Sequence, residues 1–332
     1  MAVIQKQNNA KPNFLNYGYL ESFEYLERSN AAFQTSTLRL GEQEIAGYLK
    51  ALMKESNLEK YPVVASLPSF STFTTLLEVP TISDSEIAQS IALQARQYIP
   101  IPIEDSILDW IKVGERIEED GTKKTQLFLI SVPKEVVAKY QRIFKLAGLE
   151  LKYLEVEGLS LARALTSAST PPTLIIDIGS RSSVMIVAED GLPKFINQTD
   201  FAGGSLTAAI ATGLGLASRR AEEIKRRRGL TSSGGEYELF TVLQPLLDVI
   251  VNESLRVKKN YENTYKSTIK RVVLTGGGAN LPGIDKYFTK ELGLPASKAR
   301  PFDLVSYPES MQSFVEELGP FFSVAIGLGL GK

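Results

Sequence analysis

The stretch LIIDIGSRSS, residues 174–183, ends an apolar β run in Asp-X-Gly-Ser, and VVLTGGGANLPGI, residues 272–284, ends a second one in three glycines. A buried strand that stops at Asp177 and Gly179 delivers a carboxylate and a cluster of free backbone N–H groups to one edge of a sheet. That edge suits phosphate and Mg2+. Gly276, Gly277 and Gly278 carry no Cβ and tolerate positive φ, so bare backbone can approach a flat ligand there. Three glycines in a row raise the entropy of the unfolded chain, and a plain connector gains nothing from them. Two such loops separated by helical sequence imply a ligand clamped between two halves.

Each candidate residue has a structural reading beside the functional one. Asp177 would position Mg2+ or its waters, with Gly179, Ser180, Arg181, Ser182 and Ser183 turned to phosphates; the alternative is a β-turn with local hydrogen bonds. Gly276, Gly277, Gly278 and Asn280 would lie against the adenosine and α-phosphate, or form a tight strand-to-helix connection with Pro282 in the first helical turn. Gly203, Gly204 and Ser205 are an N-cap, a second anion seat near the γ-phosphate, or both. Glu222 and Lys225 stand three apart on one helix face in RRAEEIKRRRG. Spacing alone favours a surface ion pair; the functional reading puts Glu222 on the ribose hydroxyls and Lys225 near ribose or phosphate. Arg226, Arg227 and Arg228 read as a solvated helix end favoured by the dipole. The terminal GLGLGK, residues 327–332, superficially matches a phosphate loop but lacks the spacing, the Ser/Thr and the following helix.

Composition narrows the chemistry. The chain has 332 residues, 43% hydrophobic and 23% charged, with a net charge of −1, which fits about two soluble globular domains with no general electrostatic pull toward nucleic acid. No apolar run approaches the ~20 residues needed to cross a bilayer, and MAVIQKQNNAKPN lacks the apolar stretch of a signal peptide, so a cytoplasmic location without membrane insertion is expected. There is no Cys and no His. Thiolate nucleophiles, Ser-His-Asp triads and Cys or imidazole metal sites are therefore excluded. Carboxylate, amide, hydroxyl and Lys/Arg groups remain, the set that serves Mg-nucleotide binding.

The spacing of apolar residues predicts hairpin strands at 17–26 and 33–40, a helix at 42–56 and a strand at 63–67 ended by Pro68. A strand follows at 73–79. Ser83-Asp84-Ser85-Glu86 caps a helix reaching Tyr98, strands at 107–113 and 125–132 flank a turn at 118–121, and a helix at 134–147 ends on Gly148. The second half is expected to hold strands at 153–156, 173–178, 183–188, 195–199 and 271–274. Its helices are placed at 159–165, 205–212, 218–228, 238–265 and 311–318. The organisation so read is a first lobe at 1–70, a small α+β insertion at 71–149 and a second lobe at 150–332 that carries the glycine loops and whose last helix returns toward the first lobe.

Further segments, among them NYGYLESF, VVASLPSFSTFTTLLEVP, ARQYIPIPI, EGLSLARAL, QTDFAGGSLTAAI and AEEIKRRRG, resemble the PilM family of type IV pilus assembly proteins, which is related in fold to the cell-division protein FtsA. The resemblance implies an α/β actin-like ATPase fold: two RNase-H-like lobes, an FtsA-like small α+β insertion subdomain, and ATP with Mg2+ between the lobes. It implies a cytoplasmic scaffold, peripheral to the inner membrane through a partner, that binds the cytosolic N-terminal peptide of PilN and other platform proteins. Any enzymatic activity would be at most a weak ATPase, and homo-oligomers are left open. The peptide is expected between the first lobe and the insertion, near residues 66–70 and the helix 86–98.

Members of the family start with a strand and a first Asp-X-Gly-Ser/Thr loop, whereas AVIQKQNNAKPNFLNYGYL resembles the hairpin after it. The loop and its Asp are thus expected to be missing, through a truncated gene model or in a weakly binding form, with a strand edge left exposed. Two other functions fit the same superfold. A sugar or acetate kinase needs a carboxylate base between the lobes, with Asp200 the nearby candidate, and a membrane tether needs a basic amphipathic C-terminal helix, which the sequence up to Lys332 does not contain.

Overall fold

The computed structural model describes residues 1–7, 10–21, 40–58, 61–118, 120–230 and 237–331. Strands β1 (Ala2–Gln5) and β2 (Asn13–Tyr17) form an antiparallel hairpin. Helix α1 (Glu42–Glu55) precedes β3 (Val63–Leu67), after which Pro68 can donate no ladder hydrogen bond. Strands β4 (Phe73–Pro80), β5 (Ser106–Ile117) and β6 (Lys123–Pro133) build an antiparallel sheet in the order β4-β6-β5, accompanied by α2 (Asp84–Ala95) and α3 (Lys134–Ala147). Strand β7 (Leu151–Val156) then pairs in parallel with β3, and α4 (Glu157–Leu165) leads into the second half.

There β8 (Thr173–Ile178), β9 (Ser183–Glu189), β10 (Leu192–Thr199), β11 (Arg271–Thr275) and β12 (Ala296–Lys298) form a five-stranded sheet in the order β10-β9-β8-β11-β12. The meander β8, β9, β10 is antiparallel, and β8, β11 and β12 run parallel. Helices α5 (Gly203–Leu214), α6 (Ser218–Arg228), α7 (Tyr237–Tyr265), α8 (Ile284–Leu292) and α9 (Val315–Leu330) complete the chain.

Strand β8 is apolar on both faces because both faces are covered. Leu174, Ile176 and Ile178 pack with Ile210 of α5, Leu243 and Ile250 of α7 and Phe288 of α8, while Ile175 packs with Leu161 and Leu165 of α4. Each such fully buried side chain contributes on the order of 1.5–3 kcal/mol. Local signals agree with the packing. Ser83 and Glu86 form a capping box at α2, and Gly148 stands at φ 71° after α3, where a Cβ would be strained. Gly47 lies mid-helix in α1 with open space where a Cβ would point. Gly47→Ala should therefore raise stability by about 0.5–1 kcal/mol, readable as a higher urea midpoint at unchanged m.

Three sequence expectations change. Tyr17 closes β2, residues 18–21 lie outside any strand, and the remainder of the hairpin expected at 17–26 and 33–40 falls almost wholly outside the described residues. Helix α2 ends at Ala95, short of Tyr98. The last helix covers Val315–Leu330 instead of 311–318, passing through Pro320, Gly327 and Gly329 and ending on Gly331. Propensity marks those residues as breakers, but packing requires them. A Cβ on Gly327 would fall closer than 3.0 Å to the carbonyl oxygen of Ser160 in α4, and one on Gly319 would do the same to Ala299. The small residues let α9 lie directly on α4 and reach β1 and β3. Among the described residues β1 pairs only with β2, and β3 only with β7.

Candidate functional site

Asp177 and Thr275 are register partners on adjacent parallel strands, so the loops that follow β8 and β11 meet at once. Gly276 turns the chain at φ 76°, its N–H donating to the Pro320 carbonyl at 3.0 Å. A Cβ there would strike the Asp177 carboxylate and the Ile178 carbonyl; on Gly278 it would strike Ile178, and on Gly277 the Phe321 ring at 2.9 Å. Each glycine thus has an internal steric reason. The connector reading thus has a physical basis of its own: the glycines let one loop cross the other.

The loop after β8 is tied to the start of α5. The Gly179 N–H donates to the Ser182 carbonyl at 3.1 Å, Gly203 N–H to Gly179 at 2.9 Å and Gly204 N–H to Ser180 at 2.8 Å. The Ser183 hydroxyl donates to the Phe201 carbonyl at 2.7 Å, and Ser205 donates to the Asp200 carbonyl at 3.3 Å. Those groups build the loop, correcting the expectation that their donors face a ligand. The N–H groups of Ser180, Arg181 and Ser182 and the hydroxyls of Ser180 and Ser182 have no intramolecular acceptor among the described residues. A row of successive free N–H groups is an anion-binding arrangement.

Facing this loop is a carboxylate that sequence reading missed. Glu157 opens α4 and accepts from the Ser69 N–H at 3.0 Å and from its hydroxyl at 3.4 Å. Burial raises its pKa against those hydrogen bonds. Burial, and next the charge of Glu157, push the Asp177 carboxyl up to about 7. The Arg181 guanidinium lies over the Phe70 ring, 3.9 Å from its centroid, so Phe70 after β3 touches the loop after β8. Among the described residues no three acidic side chains group as a metal cage. A carboxylate pair without its own cation does fit Mg2+, which keeps several waters and takes few protein ligands.

Glu222 and Lys225 are brought into the same wall but are no surface pair, being 7% and 9% exposed. The Lys225 ammonium donates to the Gly203 carbonyl at 3.0 Å, to Thr207 Oγ1 at 2.8 Å and to Glu222. Its three donors are thus committed, which corrects the placement of Lys225 at ribose or phosphate. Glu222 also accepts from Thr207 and from Arg226 Nε at 2.8 Å. Burial opposes its ionisation, yet Lys225, Thr207 and Arg226 hold it below the usual carboxylate range; burial lowers Lys225, with Glu222 opposing. Arg226 additionally pairs with Glu21 at 3.0 Å, so it is more than a solvated helix end. Glu222→Ala would strand the Lys225 ammonium and should cost about 3 kcal/mol or more, measured by denaturant unfolding. The Asn280 side chain is held elsewhere, donating to the Glu317 carbonyl at 2.8 Å and accepting from Lys298 at 3.2 Å. Asp200 is exposed. The two described cavities, about 310 and 750 Å³, lie outside this cluster.

Over residues 36–332 the sequence matches the family model described as Type IV pilus assembly protein PilM. The chain belongs to the PilM family. Among solved structures, the PilM-PilN type IV pilus biogenesis complex superposes with a TM-score of 0.81 at 24% identity, covering 99% of this chain and 94% of that one. MreB5 of Spiroplasma citri bound to ADP aligns with a TM-score of 0.50 at 15% identity, over 86% of this chain and 74% of the other. Curated relatives include the cell division protein FtsA of Borreliella burgdorferi, 29% identical over 182 residues (48% of this chain, 42% of that protein), and FtsA of Enterococcus hirae, 25% identical over 240 residues (62% and 52%). The chain spans about half the length of the curated relatives it matches. Its fold is the α/β fold that these actin-like structures share.

Proposed function

We propose that the chain is a cytoplasmic ATP-binding scaffold of the pilus inner-membrane assembly platform, with Mg-ATP held against the loops after β8 and β11. The observation that carries this reading is the convergence at Asp177: two strand ends, a row of free N–H groups at Ser180–Ser182, and a second carboxylate, Glu157, with no cation of their own. Phosphates would take the free N–H groups and serine hydroxyls, and Mg2+ would lie by Asp177 and Glu157 through water. Glu222 keeps acceptor capacity for a ribose hydroxyl, while Lys225 fixes Glu222 and Gly203 in place. The division into residues 1–70, 71–149 and 150–332 belongs to the same proposal. A kinase reading gains no support, because Asp200 is exposed instead of buried beside the phosphate loop.

The same scaffold would take the cytosolic N-terminal peptide of PilN in the 750 Å³ groove between β7, α3 and the β5-β6 pair. Leu67, Ile111, Val137 and Leu154 line it, and β5 and β7 each have one strand neighbour, leaving an edge for an added extended segment. Helix α2 packs its Ile87 and Ile91 on Leu127 and Leu129, whereas Leu67 of β3 packs on Phe128 and Ile130, so α2 covers the opposite sheet face. The expected docking region therefore moves away from residues 86–98, with Leu67 retained. Calorimetry with the PilN peptide should give saturable heat that Val137→Asp reduces at least about tenfold and that Leu93→Asp on exposed α2 leaves unchanged. No heat from the wild type, or equal loss in both variants, would remove the groove from the proposal.

A further inference from the structure

The second cavity, about 310 Å³, lies where the edge strand β10 meets the β4-β6-β5 sheet, and it is built from two irregularities. In β10 the register against β9 jumps between Pro193 and Phe195, so Lys194 is the extra residue of a bulge. In β5 the register against β6 jumps between Lys112 and Gly114, so Val113 is the extra residue of another. A bulge re-aims a side chain, and these two face each other: the Lys194 ammonium donates to the Val113 carbonyl. Gly114 makes the room, because a Cβ there would stand 2.9 Å from the ammonium and 3.1 Å from Gln126 Oε1.

The ammonium so placed is under-served. Lys194 is 9% exposed, and among the described residues its one hydrogen bond goes to Val113. No carboxylate stands within ion-pair distance of it there, Glu189 and Asp190 acting only from farther off. Burial lowers its pKa accordingly. Into the same cavity Arg116 brings a guanidinium whose partner, Glu78, sits at 3.4 Å and is shared with Gln126 Nε2 at 2.9 Å. Just outside the cavity lining, the Tyr265 hydroxyl is buried beside the Gln126 side chain without a well-formed hydrogen bond. Two cations with one carboxylate within ion-pair distance, and spare N–H donors, describe a site that can take a further negative charge and its acceptors.

We propose that this cavity binds a small oxyanion, a phosphate or a carboxylate, which bridges the Lys194 ammonium and the Arg116 guanidinium and so fastens the β4-β6-β5 sheet to β10. Such charge-assisted contacts are worth most where water is excluded, as it is at Lys194. The site is separate from the loops after β8 and β11 and does not depend on nucleotide binding.

The test is calorimetry on the full chain with inorganic phosphate in one arm and succinate in the other, each with a thermal melt. The expected result is one saturable site for at least one anion, with a higher melting temperature, weakened at least about tenfold by Lys194→Met and severalfold by Arg116→Gln. Arg116 is half-exposed, so its variant should fold even if the lysine variant does not. The arm that binds names the anion. Binding that survives both substitutions would put the anion elsewhere, and no binding in either arm would make Lys194 a structural brace; either outcome overturns the proposal.

Discussion

Asp177→Asn should make the ligand-free protein more stable at pH 8. The folded carboxyl titrates at about 7 against 3.8 for the ordinary group, raised first by burial and next by Glu157. A carboxylate whose pKa is raised on folding holds its full stabilisation below the unfolded value, and loses it as pH climbs through the folded value. The wild type should therefore weaken between about pH 4 and pH 7, while the amide does not titrate. The distance between the folded and unfolded values sets an upper bound of roughly 4 kcal/mol, and partial hydration of the site brings the expected gain to about 2 kcal/mol. In a protein of this size that is a rise of roughly 3 °C, checked by melting both proteins from pH 4 to pH 8. Parallel curves would mean that Asp177 sits in ordinary solvent. A site that destabilises its own apo fold is what a cation-binding carboxylate pair implies.

Gly327→Val should be more damaging still. Its side chain would have to occupy the position of the Ser160 carbonyl, and both atoms in conflict are backbone-anchored. Relief requires α9 to lift from α4, pulling fully buried Phe322 and Ile326 out of contact with Phe14 and Phe302. The expected loss exceeds about 4 kcal/mol, seen as insoluble or unfolded protein. Gly329→Ala meets the Ile4 side chain, its Cβ included, with no backbone carbonyl among its nearest atoms, and should cost less than Gly327→Val. The damage should reach the site, because α9 supplies the Pro320 carbonyl that accepts from Gly276 N–H and Thr275 Oγ1, and α4 carries Glu157. A soluble Gly327→Val protein melting close to the wild type would contradict the α4–α9 packing.

How far the sequence could be read depended on whether a residue's role was local. Strands β3, β8 and β11 stood out because apolar runs ended on Pro or Gly, and α2 and α3 because caps and glycine stops act within a few residues. Asp177 and the loop after it were legible for the same reason. Glu157 was not: it starts a helix with no motif around it, and only the fold brings it beside Asp177. Lys225 stands out by its spacing from Glu222 but serves another task, since the acceptors that occupy it come from Gly203 and Thr207 on another helix. Helix α9 runs longer than its glycines and proline suggest by propensity, because their reason lies in α4 and β11. Lys194 carried no signal at all, because a bulge is a property of two strands.

Asp177, Glu157 and the loop at Ser180–Ser182 form the proposed Mg-nucleotide seat. The direct measurement is calorimetric titration of EDTA-dialysed protein with ATP, with and without Mg2+, in the wild type and in Asp177→Asn. Saturable binding that needs Mg2+ and disappears in the variant is the predicted result. Equal affinity in both proteins, or binding indifferent to Mg2+, would contradict it.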